Sequence, residues 1–260
     1  MTSTALKIIA VVTMLIDHVG MAVFPQYRIF RIIGRLAFPI YCFLLTEGAV
    51  YTKNWVKYAG RLYLLAILSE VPFDLAVGRV PFYPVYQNVF WTLGTGLVIV
   101  RLWHLYDCLR GKNNGLQELA LSKPEVRFLA YLQQKPQAYR IWEILLPLVC
   151  LLLTAVCDFA GTDYGGFGAV LIWLLFLAKK VDRRRQKEAV KQITFWLFSG
   201  GVVIAMCLVY GGLEKWGALA AVPIFLYNGR RGWCPKVLQY GFYAFYPLHL
   251  LAIAVYVLYL

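Results

Sequence analysis

Acidic residues are scarce in this chain. There are 13 Asp and Glu against 26 Lys and Arg, and charged residues of either sign make up only 15% of the 260. The familiar patterns of soluble enzymes are also missing: no Walker A loop, no GxSxG, no HExxH and no EF-hand loop occurs. The cysteines at positions 42, 108, 150, 157, 207 and 234 include no C-x-x-C pair. Scattered through apolar segments or near their ends, they read as reduced packing residues, which excludes a disulfide or zinc framework. No internal repeat is visible, and no two segments share the matched interruptions of an inverted-repeat transporter. A cleavable leader is not expected, because Asp17 and His18 interrupt the apolar region and no small-residue cleavage site follows.

What the chain has instead is apolar length. It is 61% hydrophobic with mean hydropathy +0.64, where soluble domains are about 45–50% apolar. The apolar segments run to about 20 residues, the length of a membrane helix rather than of a barrel strand. The expected fold is therefore all-α, a polytopic membrane helix bundle with about nine transmembrane helices at 5–24, 34–51, 58–77, 87–106, 141–160, 165–180, 193–210, 215–228 and 239–259, forming one domain over 1–260. Basic residues crowd the even loops: Lys53 and Lys57; the basic loop 107–140; the loop 179–192 with Lys179, Lys180, Arg183, Arg184, Arg185, Lys187 and Lys191; then Arg230, Arg231 and Lys236. The positive-inside rule places these loops and the N-terminus in the cytoplasm. The net charge of +13 is thus assigned to topology and anionic lipid, with no nucleic-acid partner. Leu116–Leu132 is expected to form a short amphipathic helix on the cytoplasmic face.

Leu6–Phe24 carries Asp17 and His18 inside a span. A carboxylate there costs roughly 2.5–3.5 kcal/mol, so its partners matter. At the same outer depth the sequence places Arg35, Glu70, Asp74, Asn88 and Asp163. Glu70 and Asp74 share one helix face, and Arg35 is the natural cation for them. A structural ion network explains these groups as well as a functional one does. His18 is different, because an imidazole can take and return protons near neutral pH. Adjacent helical residues point about 100° apart, so Asp17 does not orient His18; it is expected to face Arg35 or another helix. His249, toward the middle of the last span, is divided between packing and a substrate pocket, and His104 is expected at the inner interface. Pro39 and Pro72 are expected to kink their helices and open a pocket. Gly165, Gly166 and Gly168 are expected to form a flexible outer turn.

In order, the segments LKIIAVVTMLIDHVG, RIIGRLAFPIYCFLLTEG, RLYLLAILSEVPFDLA, NVFWTLGTGL and FYAFYPLHLL resemble the TraX family of membrane acetyltransferases. The likeness is strongest over Leu6–Leu97 and returns around Asp163, Tyr227–Gly229 and Phe242–Leu251. The resemblance implies transfer of an acetyl or other acyl group from cytoplasmic acetyl-CoA to an acceptor at the outer side of a bacterial cytoplasmic membrane. The acceptor would be a pilin-like N-terminus or an envelope glycan, and a homodimer is a compatible assembly. His18 would match the family's Asp-His histidine, with Asp17, Arg35, Glu47, Glu70, Asp74, Asn88 and His249 at other motif positions. On this reading His18 is the general base, Glu70 or Asp74 orients it, and Arg35 or Asn88 stabilises the carbonyl oxygen. His249, Tyr246 and Asp163 would meet the acceptor. Lys53, Lys57, Arg61, Arg230 and Arg231 are assigned to the donor phosphates by charge and depth, although topology explains the same charges. No metal is expected. Two other classes stay open: a proton-coupled transporter using the intramembrane Asp, Glu and His groups, and a metallohydrolase, disfavoured because its two histidines stand at different depths.

Overall fold

The computed structural model describes residues 1–52, 54–110, 121–183 and 188–259. The described elements are helical: α1 (Ser3–Ala22), α2 (Arg28–Gly34), α3 (Ala37–Tyr51), α4 (Trp55–Val77), α5 (Val89–Leu109), α6 (Lys123–Gln134), α7 (Pro136–Phe159), α8 (Gly165–Arg183), α9 (Glu188–Tyr210), a 3-10 helix (Glu214–Ala220), α10 (Ala221–Phe225) and α11 (Lys236–Tyr259). Among the described residues, five stretches are long and apolar enough to cross a membrane: Ser3–Ala22, Arg28–Val50, Val89–Leu109, Pro136–Phe159 and Lys236–Tyr259; Gly165–Lys179 and Leu197–Tyr210 are shorter apolar helices. The chain is a membrane helix bundle. The helix α4 has the length of a span but carries Lys57, Arg61, Glu70 and Asp74. The expected span 215–228 is instead the 3-10 turn running into the short α10. The expected span 34–51 begins earlier, at Arg28, and breaks at Arg35–Leu36.

The buried centre lies among α3, α5 and α8, where Ile40, Phe43, Leu97, Leu171, Ile172, Leu175 and Phe176 are sealed from the surface. Helices in lipid gain little from apolar burial against each other, so close approach through small residues matters more. Gly96 packs on Ile172, Gly94 on Tyr63, and Gly168 on Phe38 and Thr92. The last of these corrects the expectation for the glycines at 165, 166 and 168. They open α8, and the Gly166 N–H donates to Asp158 Oδ1 at 2.7 Å, capping the helix start. Pro39 sits in the first turn of α3, where an N–H has no intrahelical acceptor to lose. Pro72 lies inside α4, as expected for a kink.

The two ends of the bundle are tied differently. At the basic end, Ser3 N–H donates to Arg230 O (2.9 Å) and Thr4 N–H to Arg231 O (3.1 Å), so α1 and α11 start side by side. There α6 docks on α5 and α7 through a buried Arg101–Glu125 pair (Nε to Oε1, 2.7 Å) and a Phe128–Trp142 edge contact. The amphipathic helix is therefore observed from Lys123; positions 116–120 of the expected segment lie outside the described residues. At the opposite end, Gln87 and Thr162 form a short parallel bridge, with Gln87 N–H to Gly161 O at 2.9 Å and Asp163 N–H to Gln87 O at 2.8 Å. That bridge fixes the loop before α5 against the loop before α8.

Candidate active site

A cavity of about 580 Å3 of empty space, counting its mouth, opens among α1, α2, α3, α4, α5 and α11. Its polar lining is Asp17, His18, Arg31, Arg35, Tyr86, Asp163, Tyr164 and Tyr246. Its apolar lining includes Met14, Met21, Phe38, Tyr41 and Phe73.

The charges come first. Asp17 is buried, and Arg35 Nη2 donates to both of its oxygens at 2.6 Å, while Arg31 Nη1 donates to Oδ2 at 2.7 Å. Arg35 Nη1 donates to Glu214. One guanidinium thus bridges two carboxylates from distant parts of the chain, in the fork geometry that suits arginine. Gly34 makes the approach possible, because a Cβ there would collide with the Asp17 carboxylate. The expectation that Asp17 faces Arg35 holds. The expectation that Arg35 neutralises Glu70 and Asp74 does not, because Asp17 and Glu214 take its donors. Arg31 and Glu214 were missed as site residues: Arg31 reads as a loop charge, and Glu214 stands at the edge of a weak apolar segment.

His18 is not oriented by a carboxylate of α4. Its Nδ1 lies 2.7 Å from His249 Nε2, and His249 Nδ1 lies 2.7 Å from Phe245 O. A carbonyl only accepts, so neutral His249 carries its proton on Nδ1 and offers Nε2 as an acceptor. His18 must then donate from Nδ1, which leaves the lone pair of neutral His18 on Nε2. The three partners fix one tautomer for both rings. The expected separation in depth fails for a geometric reason. α1 and α11 start together at the basic end; His18 stands fifteen residues above Ser3 and His249 thirteen above Lys236, about 22 and 20 Å by helical rise. The nearly parallel rings, 17° apart, stack at 5.0 Å. Among the described residues no group of three or more His, Cys, Asp or Glu side chains is placed to hold a metal ion.

The α4 carboxylates serve elsewhere. Asp74 Oδ2 accepts from Tyr83 N–H at 2.8 Å and holds the loop after α4. Glu70 accepts from Asn88 and, at 2.9 Å, from Trp91 Nε1. Asn88 donates to Ala66 O at 2.8 Å and accepts from Phe90 N–H at 3.1 Å, so it caps α5 and fastens it to α4. Neither Glu70, Asp74 nor Asn88 lines the cavity.

Asp163 reaches the cavity and accepts from the Tyr86 hydroxyl at 2.5 Å. Burial pushes its carboxyl up to about 6, against the opposing influence of that hydroxyl and of Arg35. Burial also raises Glu214, again opposed by Arg35. Tyr164 has left-handed backbone (φ 63°), uncommon for a bulky residue. Its ring is held flat on Phe38, 3.6 Å between centroids, with the Arg35 guanidinium 5.9 Å away. Such strain persists only where the surroundings dictate it.

The donor candidates do not join this cluster. Lys57, Arg61, Arg230 and Arg231 are exposed at the basic end, with Arg61 Nε donating to Lys57 O at 3.2 Å. Lys53 lies outside the described residues. Glu47 pairs with Lys179 and accepts from the Tyr227 hydroxyl at 3.2 Å, away from the cavity. His104 is buried beside Cys108 (3.6 Å).

The chain matches the family model described as TraX protein over residues 2–257. It is 30% identical over 108 residues to the "Probable fimbrial assembly protein FimC, serogroup H1" of Dichelobacter nodosus, covering 37% of this chain and 44% of that protein. It is also 53% identical over 38 residues to an uncharacterised protein of Rickettsia prowazekii (strain Madrid E), 15% of each chain. The matches thus span less than half the length of these curated relatives. No solved structure matches. With nearly its whole length matched, this chain belongs to the TraX family.

Proposed function

We propose that this chain is a membrane acyltransferase in which His18 is the general base. The observation that carries the reading is the Phe245–His249–His18 chain, which leaves a basic nitrogen on a residue lining the cavity. His18 Nε2 would remove the proton from an amine or hydroxyl as that group attacks the acyl carbon, and would return it to the departing thiolate. Neighbouring His249 steadies the imidazolium formed between those steps only in part. The Asp17–Arg35–Glu214 array pairs its charges internally. The apolar lining keeps bulk water from competing as acceptor.

The donor is proposed to be acyl-CoA, with acetyl-CoA as the family's implied case. Arg230 and Arg231 lie where α1 begins, about 22 Å below His18 by helical rise. Phosphates held at that basic end therefore require an extended carrier arm to bring a thioester to the cavity. The basic end is proposed to face the cytoplasm of a bacterial cell, by the excess of Lys and Arg in its loops, and the cavity mouth to face outward. The acceptor is proposed to be a pilin-like N-terminus, a reading favoured by the fimbrial name of the Dichelobacter relative, or an envelope glycan.

The test uses the purified full chain in liposomes with labelled acetyl-CoA, offering a peptide with a free N-terminal amine and, separately, a hydroxyl-bearing glycan. Wild type should label one of them, and His18→Ala should not, while both elute alike in detergent. Label transfer by His18→Ala near the wild-type rate would remove His18 from the chemistry. Solute uptake without any acyl product would favour a transporter.

A further inference from the structure

We propose that the Tyr246 hydroxyl, backed by the first N–H of α5, is the oxyanion donor for the carbonyl of the acyl group, which makes Tyr246 a catalytic residue. The inference rests on the acyltransferase reading above and assigns a role that Arg35 and Asn88 were expected to fill.

Tyr246 is 3% exposed; its hydroxyl oxygen faces the Val89 N–H, and its hydroxyl proton has no acceptor in the protein. Leaving a buried hydroxyl unbonded costs about 1–3 kcal/mol, and phenylalanine would fill the same space without that cost. The residue lines the cavity together with His18 and Val89. Its ring stands edge-on to His18 (6.0 Å), to His249 (5.6 Å) and to Phe90 (4.9 Å), the second residue of α5. The hydroxyl is thus held between the base and the start of a 21-residue helix. The first N–H groups of a helix have no intrahelical acceptor and carry the positive end of its dipole. Asn88 takes the Phe90 N–H, and the Val89 N–H faces the Tyr246 hydroxyl oxygen. One donor, the Tyr246 O–H, therefore remains for a ligand at this place on the wall, with the Val89 N–H behind its oxygen. The other candidates are engaged, Arg35 with Asp17 and Glu214 and Asn88 with Ala66, Glu70 and Phe90.

The step balances as follows. The acceptor's lone pair forms a bond to the acyl carbon, and the carbonyl π pair moves onto oxygen. The acceptor's proton goes to His18 Nε2. The charged oxygen receives a hydrogen bond from the Tyr246 hydroxyl, whose own oxygen faces the Val89 N–H. When the pair returns to the carbonyl, the carbon–sulfur bond breaks and the thiolate takes the proton from His18.

The experiment compares wild type and Tyr246→Phe, as full chains in detergent, with labelled acetyl-CoA and the amine peptide or glycan that wild type labels. Thermal unfolding is followed in parallel by exposure of the buried cysteines to a thiol dye. Tyr246→Phe should lower kcat by about 100- to 1000-fold, the loss seen when one oxyanion donor is removed. Its KM for acetyl-CoA should stay the same, and its melting temperature should equal or exceed that of wild type. Wild-type kcat in the variant would overturn the proposal, as would a fall in kcat together with a fall in melting temperature, which marks a structural bond. If wild type itself transfers no label, the acyltransferase reading fails, and this inference with it; an active wild type with an equally active variant removes only the oxyanion hole.

Discussion

Two buried ion clusters in this bundle look alike as contact lists and differ in what surrounds them. At the basic end, Arg101 pairs with Glu125 and Lys179 with Glu47, and each joins two helices across a filled interface. At the other end, Asp17, Arg35 and Glu214 do the same, yet Asp17 and Arg35 line a cavity that His18 and Tyr246 line as well. Buried ion pairs are weak evidence for stability, because desolvation offsets much of the attraction. The difference that matters is the uncommitted chemistry beside the second cluster. The first is closed on itself; the second frames a space where a ligand completes the bonding.

The comparison is tested most severely by removing one cation from each cluster. Arg35→Ala and Arg101→Ala both leave carboxylates buried without their partner and should each lose about 3–5 kcal/mol of stability. Chemical or thermal unfolding in detergent measures this. Acyl transfer per folded molecule should fall sharply in Arg35→Ala and stay near wild type in Arg101→Ala. A smaller effect is expected from Gly34→Ala. The added methyl meets the Asp17 carboxylate, and overpacking of that kind costs about 1–3 kcal/mol. Its stability loss should be suppressed in Asp17→Ala, measured as a double-mutant cycle.

Asp163 offers a pH test of the cavity rim. Its folded carboxyl titrates at about 6, above its ordinary value of 3.8, because of burial. The folded state therefore binds the proton more tightly than the unfolded state, so the contribution to stability is full below pH 3.8 and is lost as pH rises through 6. Asp163→Asn should flatten stability across that window, seen as a smaller change in melting temperature between pH 4 and pH 7. The smallest effects belong to the exposed basic residues. Arg230→Gln and Arg231→Gln should change stability by less than about 0.5 kcal/mol while raising KM for acetyl-CoA, read from initial rates.

Much of this arrangement was legible before any coordinates. Apolar length and loop charge revealed the helical bundle, and the cost of Asp17 in a span pointed to Arg35. The histidine pair was not legible, because its formation depends on where α1 and α11 begin; a shift of a few residues at either start moves His249 by several ångströms along the axis. Glu70 and Asp74 share a helix face with each other, and periodicity says nothing about which neighbour that face meets; they meet Asn88, Trp91 and Tyr83. Glu214 was hidden for a different reason. It opens a 3-10 turn in a short, weakly apolar segment, where neither span length nor amphipathic period marks an inward residue.

The central claim is that reactivity resides at the cavity and structure at the closed cluster. It is tested most directly by the acyl-transfer rate per folded molecule of His18→Gln beside that of Arg101→Ala, each with its melting temperature. The account predicts that His18→Gln melts near wild type and loses at least about 100-fold in rate, whereas Arg101→Ala melts several degrees lower and keeps its rate. Full activity in a folded His18→Gln protein would contradict it.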